Sequence, residues 1–166
     1  HAGPDEFPLD CELPDLTPIV ASVEGPLGVA YALPGETLTI TSPGRPRVLD
    51  PAGGGAIRRN YGFRNNQGSA GASLVDLDSG SEYPLNVSSW SNNSIDASVP
   101  ASTPAGDYQL VVTRHGGEAP VLGAIVTVGE PGDSTPIIVG VGAAYPTIQS
   151  GIDAASSGDL VLVKAG

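Results

Sequence analysis

Two histidines are the residues of this chain best suited to bind a transition metal. His1 is the first residue, and His115 lies in a glycine-rich stretch typical of a turn. A histidine at the N-terminus offers both its amine and its ring nitrogen to copper, and a second imidazole can complete such a site. The pair therefore predicts copper binding as one hypothesis. The plainer alternative is that His1 is a tag or cloning remnant and His115 a residue of a surface turn.

Oxygen-bearing side chains between Asp76 and Glu82 form the second candidate for a metal site. Acidic residues and serines alternate there around Gly80, and such side chains can surround calcium. The run does not have the twelve-residue spacing of an EF-hand loop, and its composition is also typical of a hairpin turn. An acidic hairpin turn is the favoured interpretation.

Aromatic and basic residues between positions 61 and 64 suit the recognition of a sugar. Tyr61 and Phe63 offer rings for stacking, and Arg64 offers charged hydrogen-bond donors. We therefore treat these three as candidate ligand-binding residues, and a place in the aromatic core is the alternative for Tyr61 and Phe63. Trp90 and Tyr108 are instead expected in the core, because large aromatic side chains contribute most when they are buried.

Most of the positive charge of the chain lies in one short stretch. Five of the seven basic residues fall within 20 positions: Arg45, Arg47, Arg58, Arg59 and Arg64. The chain up to Glu36 carries seven acids and no basic residue. We interpret the arginine cluster as neutralising this acidic N-terminal part, and a ligand patch is the alternative.

The sequence contains no recognisable catalytic constellation. A serine nucleophile needs a histidine base, and nothing in the sequence indicates a partner for His115. The carboxylates are numerous but scattered, so no pair of catalytic acids can be inferred from their spacing. The chain is therefore predicted not to be an enzyme, and no cofactor is expected.

The charge and composition exclude several classes of protein. The formal net charge of −11 opposes binding to nucleic acid and to anionic membrane surfaces. No apolar run approaches the roughly 18 residues that a membrane span requires. Cys11 is the only cysteine, so no disulfide can form within the chain.

Period-two alternation of apolar residues dominates the chain from Ile19 to Val128 and predicts about seven short strands. The chain holds 23 glycines and 16 prolines, which favours tight turns over long helices. We expect an all-β fold, an immunoglobulin-like sandwich spanning 18–129, with an insertion at 43–59. Residues 1–17 are expected to form an acidic, proline-rich leader.

The pattern changes after Val128. Residues 130–142 are predicted to be a linker that runs into an extended apolar piece. Pro146 is well placed to start a short helix and Gly158 to end it, and the strand-like residues Leu160–Val163 follow.

The order of several motifs between residues 18 and 129 resembles an IPT/TIG domain. The motifs include Asn60–Ser69, Leu85–Ser91, Ala105–Val112 and Val126–Val128. Members of this family have an immunoglobulin-like fold and recur in extracellular, often multidomain proteins. The resemblance implies the same fold and location here, and the insertion at 43–59 is a departure from the family pattern.

Residues Tyr145–Ala155 and Gly158–Val163 resemble the opening of a right-handed parallel β-helix of the pectate-lyase type. The resemblance implies that 143–166 are the N-terminal cap and first strand of an incomplete β-helix. Each coil of a solenoid buries its apolar face only against its neighbours, so we expect the chain to be the N-terminal part of a longer protein. The last strand is expected to pair with an edge of the sandwich, with a second chain, or with nothing.

These patterns predict a non-catalytic extracellular module that acts as a spacer, cap or interaction domain of a larger secreted or cell-surface protein, from a bacterial source. Its expected partners are a downstream β-helix domain and, through the last strand, a second copy of the chain. The first alternative is a carbohydrate-binding module of a protein that acts on polysaccharide. The second is copper binding through His1 and His115.

Overall fold

Alternating apolar residues in the middle of the chain form two facing β-sheets. The computed structural model describes residues 18–50, 53–115, 121–130, 132 and 135–164, so the leader at 1–17, which includes His1, lies outside the described residues. In chain order the elements are β1 (Ser22–Glu24), β2 (Tyr31–Ala32), β3 (Thr37–Thr41), β4 (Arg47–Leu49), β5 (Ala56–Arg58), β6 (Gly71–Asp76), β7 (Glu82–Pro84), β8 (Asn86–Trp90), β9 (Ser94–Ser98), β10 (Gly106–Thr113), β11 (Val121–Val128), β12 (Ile137–Val139), α1 (Ile148–Ala154) and β13 (Val161–Val163).

The two main sheets have the strand order of an immunoglobulin-like sandwich. One sheet runs β1-β3-β9-β8 and the other β2-β11-β10-β6-β7. These orders correspond to the A-B-E-D and G-F-C sheets of that fold. The predicted all-β, immunoglobulin-like architecture is therefore confirmed, with nine strands in the two sheets of the described chain instead of about seven. The additional strands, β2 and β7, have two and three residues and are too short to give an alternating signal.

The core lies between the two sheets and is built from the inward-facing residues of each strand. In β3, Leu38 and Ile40 are fully buried while the threonines between and beside them are more exposed. Burying each such aliphatic side chain stabilises the fold by roughly 1.5–3 kcal/mol. The other large aliphatic side chains that are almost completely buried are Leu74, Ile95, Val99, Leu110, Val112, Val126 and Val128.

Tyr108 forms a tyrosine corner at the start of β10. Its hydroxyl donates a 2.7 Å hydrogen bond to the carbonyl oxygen of Pro104, four residues upstream, as is typical of immunoglobulin-like domains. Its ring lies perpendicular to that of Tyr83, with 5.6 Å between the centroids. Desolvation, followed by the nearby Tyr83 and Asp76, raises the pKa of Tyr108, which keeps the hydroxyl protonated as a donor.

Replacing Tyr108 with phenylalanine should lower the free energy of unfolding by about 1 kcal/mol, because the partly buried hydrogen bond to Pro104 is lost and the ring is kept. Urea denaturation followed by circular dichroism measures this. Tyr83→Phe is the matched control and should cost less than about 0.5 kcal/mol, since its half-buried side chain contributes mainly the ring. Equal costs for the two variants would contradict the corner.

Residues 43–59, the predicted insertion, contain a small two-stranded sheet separate from both main sheets. β4 and β5 pair antiparallel, with Arg47 opposite Arg58 and Leu49 opposite Ala56. Leu49 is 83% exposed, so this hairpin does not contribute that side chain to the core. Its position between β3 and β6 places it beside one end of the sandwich.

The C-terminal segment forms a β-α-β unit. The predicted helix is confirmed as α1, which begins after the N-cap Thr147, whose side chain and that of Ser150 form a capping box. Gly151 is the buried residue of the helix and packs against Val139, where a larger side chain would collide. Ile148 and Ile152 remain more than half exposed. In the described residues, no helix combines the length and the apolar character that crossing a bilayer demands.

The last strand was expected to pair with an edge of the sandwich, with a second chain, or with nothing, and the structure gives it a different partner. β13 pairs in parallel with β12, which lies inside the segment predicted to be a linker. Parallel strands need a crossover connection, and α1 supplies it. Apolar periodicity does not reveal a pairing of this kind, because three-residue strands alternate too briefly. Self-association through β13 stays a prediction, but an orphan strand no longer supports it.

Candidate functional site

An open groove of about 1020 Å³ lies at one end of the sandwich. The β8–β9 turn, the loop between β5 and β6, and the segment that follows β3 meet there. The β12-α1-β13 unit is at the opposite end, where Lys164 lies against Gly28. The groove is therefore remote from the C-terminal unit.

Three arginines line the groove: Arg45, Arg58 and Arg64. Arg45 and Arg58 are exposed and Arg64 is partly exposed. The lining contains no acidic residue, and within the described ranges none of the three guanidinium groups forms an ion pair with a carboxylate. The groove is thus a concentrated positive patch on a chain whose net charge is −11.

Asparagines supply most of the remaining polar lining. The chain has six asparagines, and five of them face this groove: Asn60, Asn65, Asn66, Asn92 and Asn93. The sixth, Asn86, lies in β8. The side-chain oxygens of four of these asparagines already accept hydrogen bonds within the protein: Asn60, Asn65, Asn92 and Asn93. The asparagines therefore offer a ligand mainly amide N–H donors and the remaining lone pairs of these oxygens.

The β8–β9 turn is fixed to the segment after β3 by hydrogen bonds. The Ser42 backbone N–H donates to the Asn93 carbonyl at 2.9 Å, and the Ser42 hydroxyl donates to the Asn92 carbonyl at 2.8 Å. The Asn92 side chain also donates to the Asn93 side chain at 3.1 Å. These bonds hold both asparagines in place in the absence of a ligand.

The loop that carries Arg64 is held by the same turn. The Arg64 backbone N–H donates to the Asn92 side-chain oxygen, and the Phe63 N–H donates to the Asn92 carbonyl. Arg64 has a φ of 63°, a left-handed conformation that is uncommon for a residue with a side chain. Gly62 passes so close to the Asn92 carbonyl that any Cβ atom would collide with it. The backbone of this loop is therefore specified by contacts with Asn92.

The buried side chain of Arg114 holds the loop between β5 and β6 by hydrogen bonds to its backbone. Its side chain is only 1% exposed, and it is the largest fully buried side chain in the described residues. One guanidinium nitrogen donates to the carbonyl oxygens of Asn60, at 3.3 Å, and Gly62, at 3.0 Å. These hydrogen bonds fix the backbone at Asn60 and Gly62, and so position the lining residues Asn60 and Arg64. Arg114 is thus a positioning residue for the groove.

Comparison of the chain with protein-family models, curated proteins and solved structures finds no match. The resemblances to an IPT/TIG domain and to a β-helix therefore stay predictions. The function of the groove has to be argued from its own residues.

The structure places the three sequence-predicted ligand residues in different environments. Arg64 lines the groove. Phe63 is completely buried and packs edge-on against Trp90, with 6.1 Å between centroids, so its ring is not available for stacking on a sugar. The Trp90 indole N–H donates to the Arg64 carbonyl at 3.0 Å. The pattern of two aromatics beside an arginine failed here because it does not reveal which ring faces inward.

Tyr61 helps to hold the loop beside the groove through backbone hydrogen bonds. Its N–H donates to the Gly44 carbonyl at 2.8 Å, and its carbonyl accepts the Ile19 N–H at 2.9 Å. The side chain is half-buried and does not belong to the groove lining. The described lining of the groove therefore consists of arginines, asparagines and prolines and contains no aromatic ring.

His115 lies near the loop but outside the groove lining. Its Nδ1 accepts the Ser69 backbone N–H at 3.1 Å and lies 3.0 Å from the Ser69 hydroxyl. These contacts link His115 to the loop that carries Ser69. His1, the other half of the predicted copper site, lies outside the described residues, and copper binding stays a prediction.

The acidic turn after β6 has its own structural explanation. The Asp76 carboxylate accepts hydrogen bonds from the backbone and hydroxyl of Ser79 and from the Asp78 N–H, at 2.6–3.1 Å. These bonds, with those from Ser79 the strongest, lower the pKa of Asp76. No group of three metal-ligating side chains occurs in the part of the chain that the structure describes. The favoured interpretation as a hairpin turn is consistent with these contacts.

Sequence reasoning noted the arginine cluster but missed the asparagines. Asn92 and Asn93 have the composition of a turn, and they also lie in one. The available signal was their distribution, since all six asparagines lie between positions 60 and 93. Arg114 could not be found, because an arginine beside a predicted turn is usually exposed.

Proposed function

We propose that the chain is a non-catalytic, extracellular recognition module that binds an acidic glycan in the arginine–asparagine groove. The observation that carries this proposal is the convergence of three arginines and five asparagines, without an acid, in one groove of a strongly acidic chain. These residues come from segments about 50 positions apart in sequence, so folding brings them together.

The two residue types match the two functional groups of an acidic sugar. Arginine presents a planar fork of donors that fits a carboxylate or sulfate with two parallel hydrogen bonds. Asparagine amides donate to and accept from hydroxyl groups, which an inorganic anion lacks. A ligand that carries both an anion and several hydroxyls can contact both residue types. Oligomers of uronic acids, with one carboxylate per ring, are the simplest such ligand.

The overall negative charge does not prevent this binding. At physiological ionic strength charges separated by more than about 8 Å are largely screened, so the local arginines dominate inside the groove. A nucleic acid duplex would instead require a longer basic surface that contacts many phosphates. The groove concentrates its cations over a short length, which favours a short anionic segment.

The groove is organised before any ligand arrives. Asn92, Asn93 and Arg64 are tied by backbone hydrogen bonds to Ser42, Phe63 and Trp90. Fixing these groups in advance lowers the conformational entropy that binding would otherwise cost. This supports recognition at the β8–β9 turn and at the backbone of the loop that carries Arg64, which are the parts that these bonds hold.

Calorimetric titration with a uronic-acid oligomer tests the proposal against the neutral oligomer of the same length. We expect the acidic oligomer to bind, more weakly as salt is raised, and the neutral one to bind much less. Arg64→Gln should weaken binding about fivefold, the equivalent of about 1 kcal/mol. Lys164→Gln removes the same charge at the other end of the molecule and should change affinity less than twofold. Equal binding of the two oligomers, or equal effects of the two variants, would refute the proposal.

A connector role is the second candidate, in which the β12-α1-β13 unit joins the sandwich to a following β-helix. The exposed apolar side chains of this unit favour it, since Val141 is 95% exposed and Ile148, Ile152 and Val163 are more than half exposed. Such side chains would be covered by the next coil of a solenoid. A connector without a ligand predicts no response in the titration, which separates the two candidates.

A further inference from the structure

The β4–β5 hairpin places two arginines directly opposite each other. Arg47 in β4 and Arg58 in β5 are register partners in this antiparallel pair. Farther along the same ladder, the Asp50 N–H donates to the carbonyl of its own partner, Gly55, at 2.7 Å. Hydrogen-bonded and non-hydrogen-bonded pairs alternate, so the two arginines form a non-hydrogen-bonded pair. In such a pair the Cα atoms are only about 4.5 Å apart, and both side chains project from the same face.

This pairing is unfavourable in the free protein. Like charges that lie opposite each other on neighbouring strands destabilise the sheet. Both arginines are exposed, and in the described part of the chain neither forms an ion pair with a carboxylate that would offset the repulsion. The hairpin has little else to stabilise it, since it is a two-stranded sheet of its own and Leu49 is 83% exposed. An anion held between the two guanidinium groups would remove the repulsion.

The arginine pair is continuous with the groove. Arg58 lines the groove, and Arg47 projects from the same face of the hairpin just beyond the lining. Arg64 lines the groove from a different segment, the loop between β5 and β6. The volume of about 1020 Å³ is at the upper end of the range that holds drug-sized ligands, so the groove has room for more than one sugar ring. Positive charge is thus presented to one ligand by both the hairpin and the loop.

We infer that Arg47 and Arg58 hold one anionic group of the ligand between them, beside the anion site at Arg64. The inference rests on the proposed function and defines its ligand more narrowly. A ligand that engages both sites carries at least two charged sugar rings, so a single uronic acid is too short. Once one ring is bound, the other is held at a high effective concentration near its own site. Arg47 is thus a specificity-determining residue that selects oligomers.

Titration with a uronic-acid monosaccharide and with its oligomer tests this requirement for two charges. We expect the unaltered chain to bind the oligomer more than about tenfold more tightly than the monosaccharide. Arg47→Gln should weaken oligomer binding about fivefold, because the hairpin site loses half of its fork. Lys164→Gln is the control for the loss of one positive charge and should change the affinity less than twofold. Equal affinities for the two ligands, or equal effects of the two variants, would overturn the inference.

Amide hydrogen exchange of the hairpin distinguishes an anion site from a structural role of Arg47. Val48 and Ile57 form the adjacent pair in the ladder, and their amides report opening of the hairpin. In the free chain, Arg47→Gln should slow their exchange about twofold, because the repulsion is removed. The oligomer should slow the exchange more than fivefold in the unaltered chain and less than twofold in the variant. Faster exchange in the free variant would show that Arg47 stabilises the hairpin and would overturn the inference.

The readouts separate failure of the inference from failure of the proposed function. If the oligomer binds the unaltered chain and Arg47→Gln equally well, while Arg64→Gln weakens binding, the proposed function stands and the hairpin site does not exist. If the oligomer does not bind, the proposed function fails, and inorganic sulfate is the probe of the arginine pair. Slower exchange of Val48 and Ile57 in sulfate than in chloride of the same ionic strength, lost in Arg47→Gln, would support an anion site at the hairpin. Equal exchange in the two salts would overturn it.

Discussion

Arg114→Met is expected to lower the free energy of unfolding by about 3 kcal/mol and to weaken glycan binding more than tenfold. Methionine keeps a side chain of similar length but offers no donor. The Gly62 carbonyl oxygen would then lose its guanidinium bond in the interior, and the Asn60 carbonyl oxygen would lose a partly buried one. The unsatisfied buried acceptor at Gly62 costs about 1–3 kcal/mol, and the lost bond at Asn60 adds to this. Because Asn60 lines the groove, the loop would lose its fixed position as well.

Urea denaturation measures the expected loss in the free energy of unfolding, and titration under native conditions measures the expected loss of affinity. Arg47→Met is the control, since Arg47 is exposed on the β4–β5 hairpin, and it should cost less than about 0.5 kcal/mol. A loss below about 1 kcal/mol for Arg114→Met, or equal losses for both variants, would show that the buried guanidinium does not hold the loop.

The triple variant R45Q/R58Q/R64Q is expected to weaken binding of the uronic-acid oligomer about a hundredfold. Each exposed arginine–carboxylate contact contributes about 1 kcal/mol, and three together correspond to a factor of this size. Glutamine keeps much of the side-chain length and a donor but removes the charge and the fork. The stability of the fold should change little, because none of the three side chains is buried.

Titration of this triple variant at several salt concentrations also tests whether the interaction is electrostatic. The dependence of affinity on salt should largely disappear, since the charges that salt screens have been removed. An affinity loss below fivefold would contradict the assignment of the arginines as the ligand contacts. An equal loss of affinity for the neutral oligomer would also contradict this assignment. The neutral oligomer is expected to bind through its hydroxyl groups to the asparagines, which the triple variant keeps.

The sequence predicted the sandwich because local patterns and tertiary structure agree there. The alternation of Leu38 and Ile40 with threonines is the pattern of a half-buried strand, and β3 has that burial. The start signal at Pro146 also corresponds to α1, which begins at Ile148, whereas the helix ends at Ala154, before the predicted stop at Gly158. In both cases one short window contains the whole signal.

The groove and the C-terminal pairing could not be predicted in the same way. Arg45, Asn65 and Asn93 are distant in sequence. They meet because the last residues of β3 and the β8–β9 turn lie at the same end of the sandwich. β12 and β13 are separated by the crossover helix, so neither strand indicates its partner. The orientation of Phe63 depends on the turn at Gly62 and on Trp90, which no single-strand pattern contains.

Chemical-shift mapping is the most direct test of whether the arginine–asparagine groove binds an acidic glycan. Titrating a ¹⁵N-labelled chain with the uronic-acid oligomer should shift the arginine Nε–H and asparagine amide signals of the groove. The largest shifts should belong to Arg45, Arg58, Arg64, Asn92 and Asn93, with no comparable shift at Lys164. Shifts that are absent, or that cluster on the β12-α1-β13 unit, would contradict the claim.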